Sequence, residues 1–141
     1  REDLSGQDAA RKVLILARLM GYRGPAAVAE NLVPAAMQKL TLPQVMARLP
    51  ELDADWAART TREAARGRVL RYVVIATPTS VSAKLVAVPK DSPIGSLRGT
   101  RNLVAFTTRR YRNEPLVVSG PGAGPAVTAA GLLNDIYSLA T

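Results

Sequence analysis

Histidine and cysteine are absent from the 141 residues, and phenylalanine and tryptophan occur once each. The first two absences exclude a disulfide frame, a thiolate nucleophile, an imidazole base and a Cys/His zinc site. No metal site is expected, and any acid–base work falls to Asp, Glu, Lys or Tyr. So few aromatic faces leave little surface on which nucleic-acid bases could stack. The sequence also lacks an apolar run of the ~18 residues that span a bilayer, and its start carries no signal-peptide pattern. It therefore reads as a soluble protein of a reducing compartment with no membrane partner: the cytoplasm, or a plastid if the source is a plant.

What is present is enough for one domain with a real core, since 48% of the residues are hydrophobic. Position 1 is not methionine and an acidic segment begins at the second residue, so a piece of a longer polypeptide is expected. The net charge is +8, from 19 basic and 11 acidic residues. The basic residues are mostly arginines spread along the chain, with only short clusters such as Arg109, Arg110 and Arg112. A solvated basic surface follows, compatible with an anionic cofactor and offering nothing specific to nucleic acid.

Along the chain, Val13, Leu16, Ala17 and Met20 recur at helical spacing within Gln7 to Met20, and Gly21 is a natural stop. Leu14, Ile15 and Leu19 carry the apolar surface most of the way round, so this helix is expected to be central. Asp8 and Lys12 stand one turn apart on the face that continues into Ile15 and Leu19, which predicts a charged pair at the edge of a buried face. Prolines 25, 34, 43 and 50 then permit only short helices, among them Gln44 to Leu49. A further helix is expected from Asp53 to Arg66, ended by Gly67.

At Arg68 the pattern turns to alternation. Strands are expected over Val69 to Ala76, Ser82 to Val88, Asn102 to Thr108 and Leu116 to Ser119, with a weaker one around Asn31 to Val33. Arg71 and Lys84 within them put one sheet face against water or a partner chain. Helices first and strands second predict an α+β two-layer sandwich. A glycine-rich turn, Gly120 to Gly124, then enters a last helix, Pro125 to Ala140. Such a turn can aim backbone N–H groups at an anion, but Pro125 stands where the dinucleotide fingerprint needs its third glycine.

The residues at the start admit two readings. Asp3 and Asp8 suit the positive end of a helix dipole, by about 0.3–1 kcal/mol each, with Lys12 as a stabilising partner. Alternatively, a lysine desolvated beside an apolar helix yields its proton more readily, a carboxylate restores its hold, and paired carboxylates can bind an ammonium. Spacing leaves both open.

Asp3-Leu4-Ser5-Gly6-Gln7-Asp8-Ala9-Ala10-Arg11-Lys12, continuing to Arg18, resembles the signature of homoserine dehydrogenase. Val69 to Val73, Asn102 to Tyr111 and Pro115 to Gly131 are similar to the same family in the same order, and the last two look most like the bifunctional aspartokinase–homoserine dehydrogenases. The resemblance implies an NAD- or NADP-dependent oxidoreductase interconverting L-homoserine and L-aspartate 4-semialdehyde, in threonine and methionine biosynthesis. It implies that Lys12 is catalytic, that Asp8 and Asp3 bind substrate, and that Gly124, with Gly122 beside it, approaches the cofactor. The implied fold is a mixed β-sheet with helices on one face, the sheet also making a homodimer contact, plus a C-terminal helix. Residues 1–118 would form the catalytic, substrate-binding and dimerisation domain. Residues 119–141 would return to an N-terminal nucleotide-binding domain that this sequence does not contain, so the 141 residues alone are expected to be inactive. A non-catalytic assembly module that keeps the fold is the competing expectation; Asp3, Asp8 and Lys12 standing together favour the enzyme.

Overall fold

A computed structural model describes residues 3–140, with side chains from residue 4 onward. The architecture is α+β, with four α-helices, α1 (Gln7–Leu19), α2 (Leu42–Arg48), α3 (Asp53–Ala64) and α4 (Pro125–Ala140), and four strands, β1 (Arg68–Ala76), β2 (Val81–Pro89), β3 (Arg101–Phe106) and β4 (Leu116–Pro121). The chain divides into two compact units, Arg1–Lys90 and Asp91–Thr141.

In the first unit β1 and β2 form an antiparallel pair running from Arg68 opposite Pro89 to Ala76 opposite Val81. Side chains alternate between faces, so Tyr72, Val74, Ala83 and Leu85 share one face, while Arg71 and Lys84 share the other. Helix α1 packs on both strands and α3 on β1. The buried residues of α1 are Ala10, Val13 and Ala17, whose spacing traces one narrow stripe. Small side chains let the helix lie close to the pair, where Ala83 is also buried. Full burial of Val13 contributes about 1.5–2 kcal/mol.

Helix α1 is thus covered on one side only, not most of the way round: Ile15 is 62% and Leu19 80% exposed. The periodicity counted apolar residues correctly, but only three small ones meet the sheet.

Segment 29–33 makes an isolated parallel bridge, Ala29 with Ala83, rather than a strand. Beyond it the Val33 N–H donates to the side-chain oxygen of Asn31 at 2.9 Å, a local bond that replaces a ladder bond. At the other edge, Glu63 at the end of α3 is buried among Arg62, Arg66 and Arg68, at 3.6, 3.6 and 3.8 Å. This one carboxylate joins the end of α3 to the start of β1 across the turn at Gly67, whose φ of 68° suits glycine.

In the second unit β3 and β4 pair antiparallel, from Arg101 opposite Pro121 to Phe106 opposite Leu116. The four strands therefore form two two-stranded antiparallel sheets, and the mixed character expected of a single sheet is confined to the Ala29–Ala83 bridge among the described residues. Helix α4 buries none of its residues.

Candidate active site

The start of α1 is shaped by a glycine in the left-handed region. Gly6 has φ 70° and ψ 5° and stands immediately before the helix, its carbonyl accepting the Ala10 N–H at 2.9 Å. Asp8 lies in the first helical turn, where the dipole favours a carboxylate. One turn later Lys12 Nζ reaches Asp8 Oδ2 at 2.7 Å. The two side chains are 72% and 55% exposed for Lys12 and Asp8 respectively. An exposed pair at this spacing contributes only about 0.3–0.5 kcal/mol.

The expectation of a pair at the edge of a buried face is corrected by this exposure. The face holding Asp8, Lys12, Ile15 and Leu19 is the one turned from the β1–β2 pair, and it is open among the described residues. Lys12 is held through Oδ2, and an ionised carboxylate has several acceptor sites on its two oxygens, so Asp8 has capacity for a second cation. Likewise an ammonium has three donors, of which Asp8 takes one. Asp3 opens the 3-10 turn Asp3–Ser5 just ahead; its side chain lies outside the described residues.

Two residues that the sequence reading did not single out support this region. Tyr72 Oη donates to the carbonyl of Glu30 at 2.8 Å, with the Ala83 carbonyl at 3.2 Å as a second acceptor. The carboxylate of Glu30 accepts the Leu85 N–H at 2.8 Å. Burial, and then the charge of Glu30, push the Tyr72 phenol above its ordinary pKa, so it remains a donor through neutral pH. A polar-tipped aromatic on an alternating strand was the available signal, but its partner is forty-two positions away.

Gly122 and Gly124 lie in the second unit, between β4 and α4. A Cβ on Gly122 would stand 1.8 Å from Asn102 Nδ2, the end of an exposed side chain, so a substitution there displaces that amide. Gly124 has φ 144°, a conformation that side chains rarely adopt, and its carbonyl accepts the Thr128 N–H at 3.0 Å to open α4. Pro125 then occupies the first helical position. The turn therefore presents bare backbone at a helix start. Asn102 stands opposite Gly120 in the ladder, and only the β3–β4 register brings it beside Gly122.

The family model for homoserine dehydrogenase matches residues 1–137. A chloroplastic bifunctional aspartokinase/homoserine dehydrogenase 1 of Zea mays is 43% identical over 146 residues, covering 100% of this chain and 16% of that protein. A homoserine dehydrogenase of Emericella nidulans is 42% identical over 149 residues, covering 99% of this chain and 40% of its own length. Among solved structures, a Candida auris protein of unknown function superposes with a TM-score of 0.88 at 38% identity, covering 99% of this chain and 40% of that one. A putative homoserine dehydrogenase from Archaeoglobus fulgidus shares the fold, with a TM-score of 0.62 at 22% identity, over 97% of this chain and 36% of its own. The chain thus spans well under half the length of these relatives.

Proposed function

Because the chain belongs to the homoserine dehydrogenase family, we propose that it is the substrate-binding and proton-handling part of an enzyme that interconverts L-homoserine and L-aspartate 4-semialdehyde with NAD or NADP. The observation that carries this reading is the Asp8–Lys12 pair, held at 2.7 Å on the open face of α1. Its exposure makes it a weak contributor to stability and leaves it accessible to a substrate. That disfavours the alternative of a packing module, in which neither charge would be needed.

The roles follow from the donor and acceptor inventory. Asp8 Oδ1 would take the substrate's ammonium while Oδ2 keeps Lys12 in place. In homoserine oxidation Lys12 in its neutral form would accept the hydroxyl proton; in the reverse direction its ammonium would return a proton to the forming alkoxide. Asp3, five residues before Asp8, would add a second carboxylate for the ammonium. A bound nicotinamide supplies the hydride acceptor or donor. The residues at hand fit such a group at Gly124, where nothing stands within 4 Å of a Cβ position, at a helix start whose N–H groups favour an anionic or carbonyl partner; Asn102 fills the space beside Gly122.

We place the nucleotide-binding domain in the longer polypeptide, against the open apolar side chains of α4, and a homodimer contact on the sheet. Fused and unfused relatives match equally well, at 43% and 42%, and homoserine dehydrogenase is common to both names. The compartment we assign is the cytoplasm, or the plastid for a plant source, as in the chloroplastic relatives.

The test compares the 141-residue chain with the longer polypeptide in NADPH-dependent reduction of L-aspartate 4-semialdehyde. The longer protein is expected to turn over and the short one to show neither turnover nor tight cofactor binding. Turnover by the short chain alone, or none by the long one, overturns the reading.

A further inference from the structure

Gly6 lacks a side chain for two reasons, its φ of 70° and a neighbour on the sheet. A Cβ at residue 6 would stand 1.9 Å from Tyr72 Oη and 2.7 Å from its Cζ, with Ala29 Cβ at 3.1 Å. The phenol therefore fills the space directly beneath the first residue of the α1 start. Its oxygen is held in turn by the Glu30 and Ala83 carbonyls. The Glu30 segment is fixed on both sides: its N–H donates to the Ala83 carbonyl at 2.8 Å, and its carboxylate accepts from Leu85. Two residues on, the Leu32 N–H donates to the Leu4 carbonyl at 2.9 Å, which ties the same segment to the turn ahead of Gly6. A closed circuit runs from β1 through Tyr72 to segment 30–32, to Leu4, and into Gly6.

We propose that Tyr72 is a positioning residue for the substrate half-site, the seat on which the first turn of α1 is set so that Asp8 and Lys12 meet the substrate at a fixed height above the sheet. The inference rests on the functional reading given above. Asp8 follows Gly6 by two residues and Lys12 by six, so any tilt at Gly6 displaces both. Errors of about 1 Å in a reacting group can cost up to 100-fold in rate. Tyr72 lies on the sheet side of α1, against Gly6 and away from the face that carries Asp8 and Lys12, so its influence passes through Gly6.

The experiment uses the full-length enzyme with Tyr72→Phe, which keeps the ring and removes the hydroxyl, and Gly6→Ala, which presses on the same seat from above. Both are expected to raise the KM for L-homoserine about fivefold to tenfold, with Gly6→Ala the more severe, and to leave the KM for the nicotinamide cofactor unchanged. Amide hydrogen exchange at Ala10 to Lys12 should quicken in Tyr72→Phe while exchange in α3 stays as in the wild type. A purely structural role would lower the amount of active enzyme and move neither KM. Wild-type KM for homoserine in both variants, or faster exchange spread over the whole unit, overturns the inference. Failure of the functional reading would show instead in the wild-type control, as an absence of homoserine oxidation.

Discussion

The first and last helices differ in what surrounds them. Helix α1 sets Ala10, Val13 and Ala17 into the β1–β2 pair and is anchored at its start by a glycine seated on a tyrosine. Helix α4 is more apolar, yet Leu132, Leu133, Ile136 and Leu139 are all exposed, Leu139 at 89%. The β3–β4 pair before it is similarly open, with Val104, Phe106, Leu116 and Val118 exposed. One region carries its own support and leaves its charged pair exposed; the other offers apolar surface that the proposed nucleotide-binding domain and second subunit would cover.

Lys12→Ala in the full-length enzyme should lower kcat for homoserine about 100- to 10,000-fold, with an unchanged thermal midpoint, because the exposed pair adds little stability. Asp8→Asn comes next: the lost charge should raise the KM for L-homoserine about tenfold to 100-fold while cofactor binding holds, as read by steady-state kinetics. Gly122→Ala is the counterpart in the second unit. Its Cβ would collide with Asn102, and the KM for cofactor, not for homoserine, should rise about tenfold.

Stability separates the two helices directly. Val13→Ala should cost about 2 kcal/mol in denaturant unfolding of the 141-residue chain, since Val13 is fully buried. Leu133→Ala should stay within about 0.5 kcal/mol there, and should cost several times more in the full-length protein. Equal costs in the short chain would erase the distinction.

The smallest effect is one of pH. The Tyr72 pKa is raised in the folded chain, by burial and by Glu30, so its contribution is fully present below the unfolded value of about 10 and is lost as pH rises through the folded one. Unfolding of wild type and Tyr72→Phe at pH 8 and pH 11 should show the wild type losing more stability over that interval.

Much of the fold could be read in the residues. The alternation over Val69 to Ala76 and Ser82 to Val88 became β1 and β2; of the four residues at helical spacing, Val13 and Ala17 lie in the buried stripe of α1, with Ala10, while Leu16 and Met20 are exposed. What periodicity could not convey was depth of cover: Ile15 and Leu19 score as core residues whether or not a surface lies opposite them. Pairing between strands was equally hidden, because Leu116 to Pro121 can only be matched to Arg101 to Phe106 once the loop between them is placed. At the site, the motif gave Asp8 and Lys12, since their spacing on one helix is local. Tyr72 and Gly6 come together only through the β1–β2 register and the Ala29 bridge, a conjunction of distant segments that no local pattern encodes.

If Lys12 handles the proton of the alcohol–aldehyde interconversion, a small primary amine added to the full-length Lys12→Ala enzyme can stand in for it. Turnover should return in proportion to the amine concentration, with the KM for cofactor unchanged. Wild-type turnover by Lys12→Ala without any amine would contradict the claim.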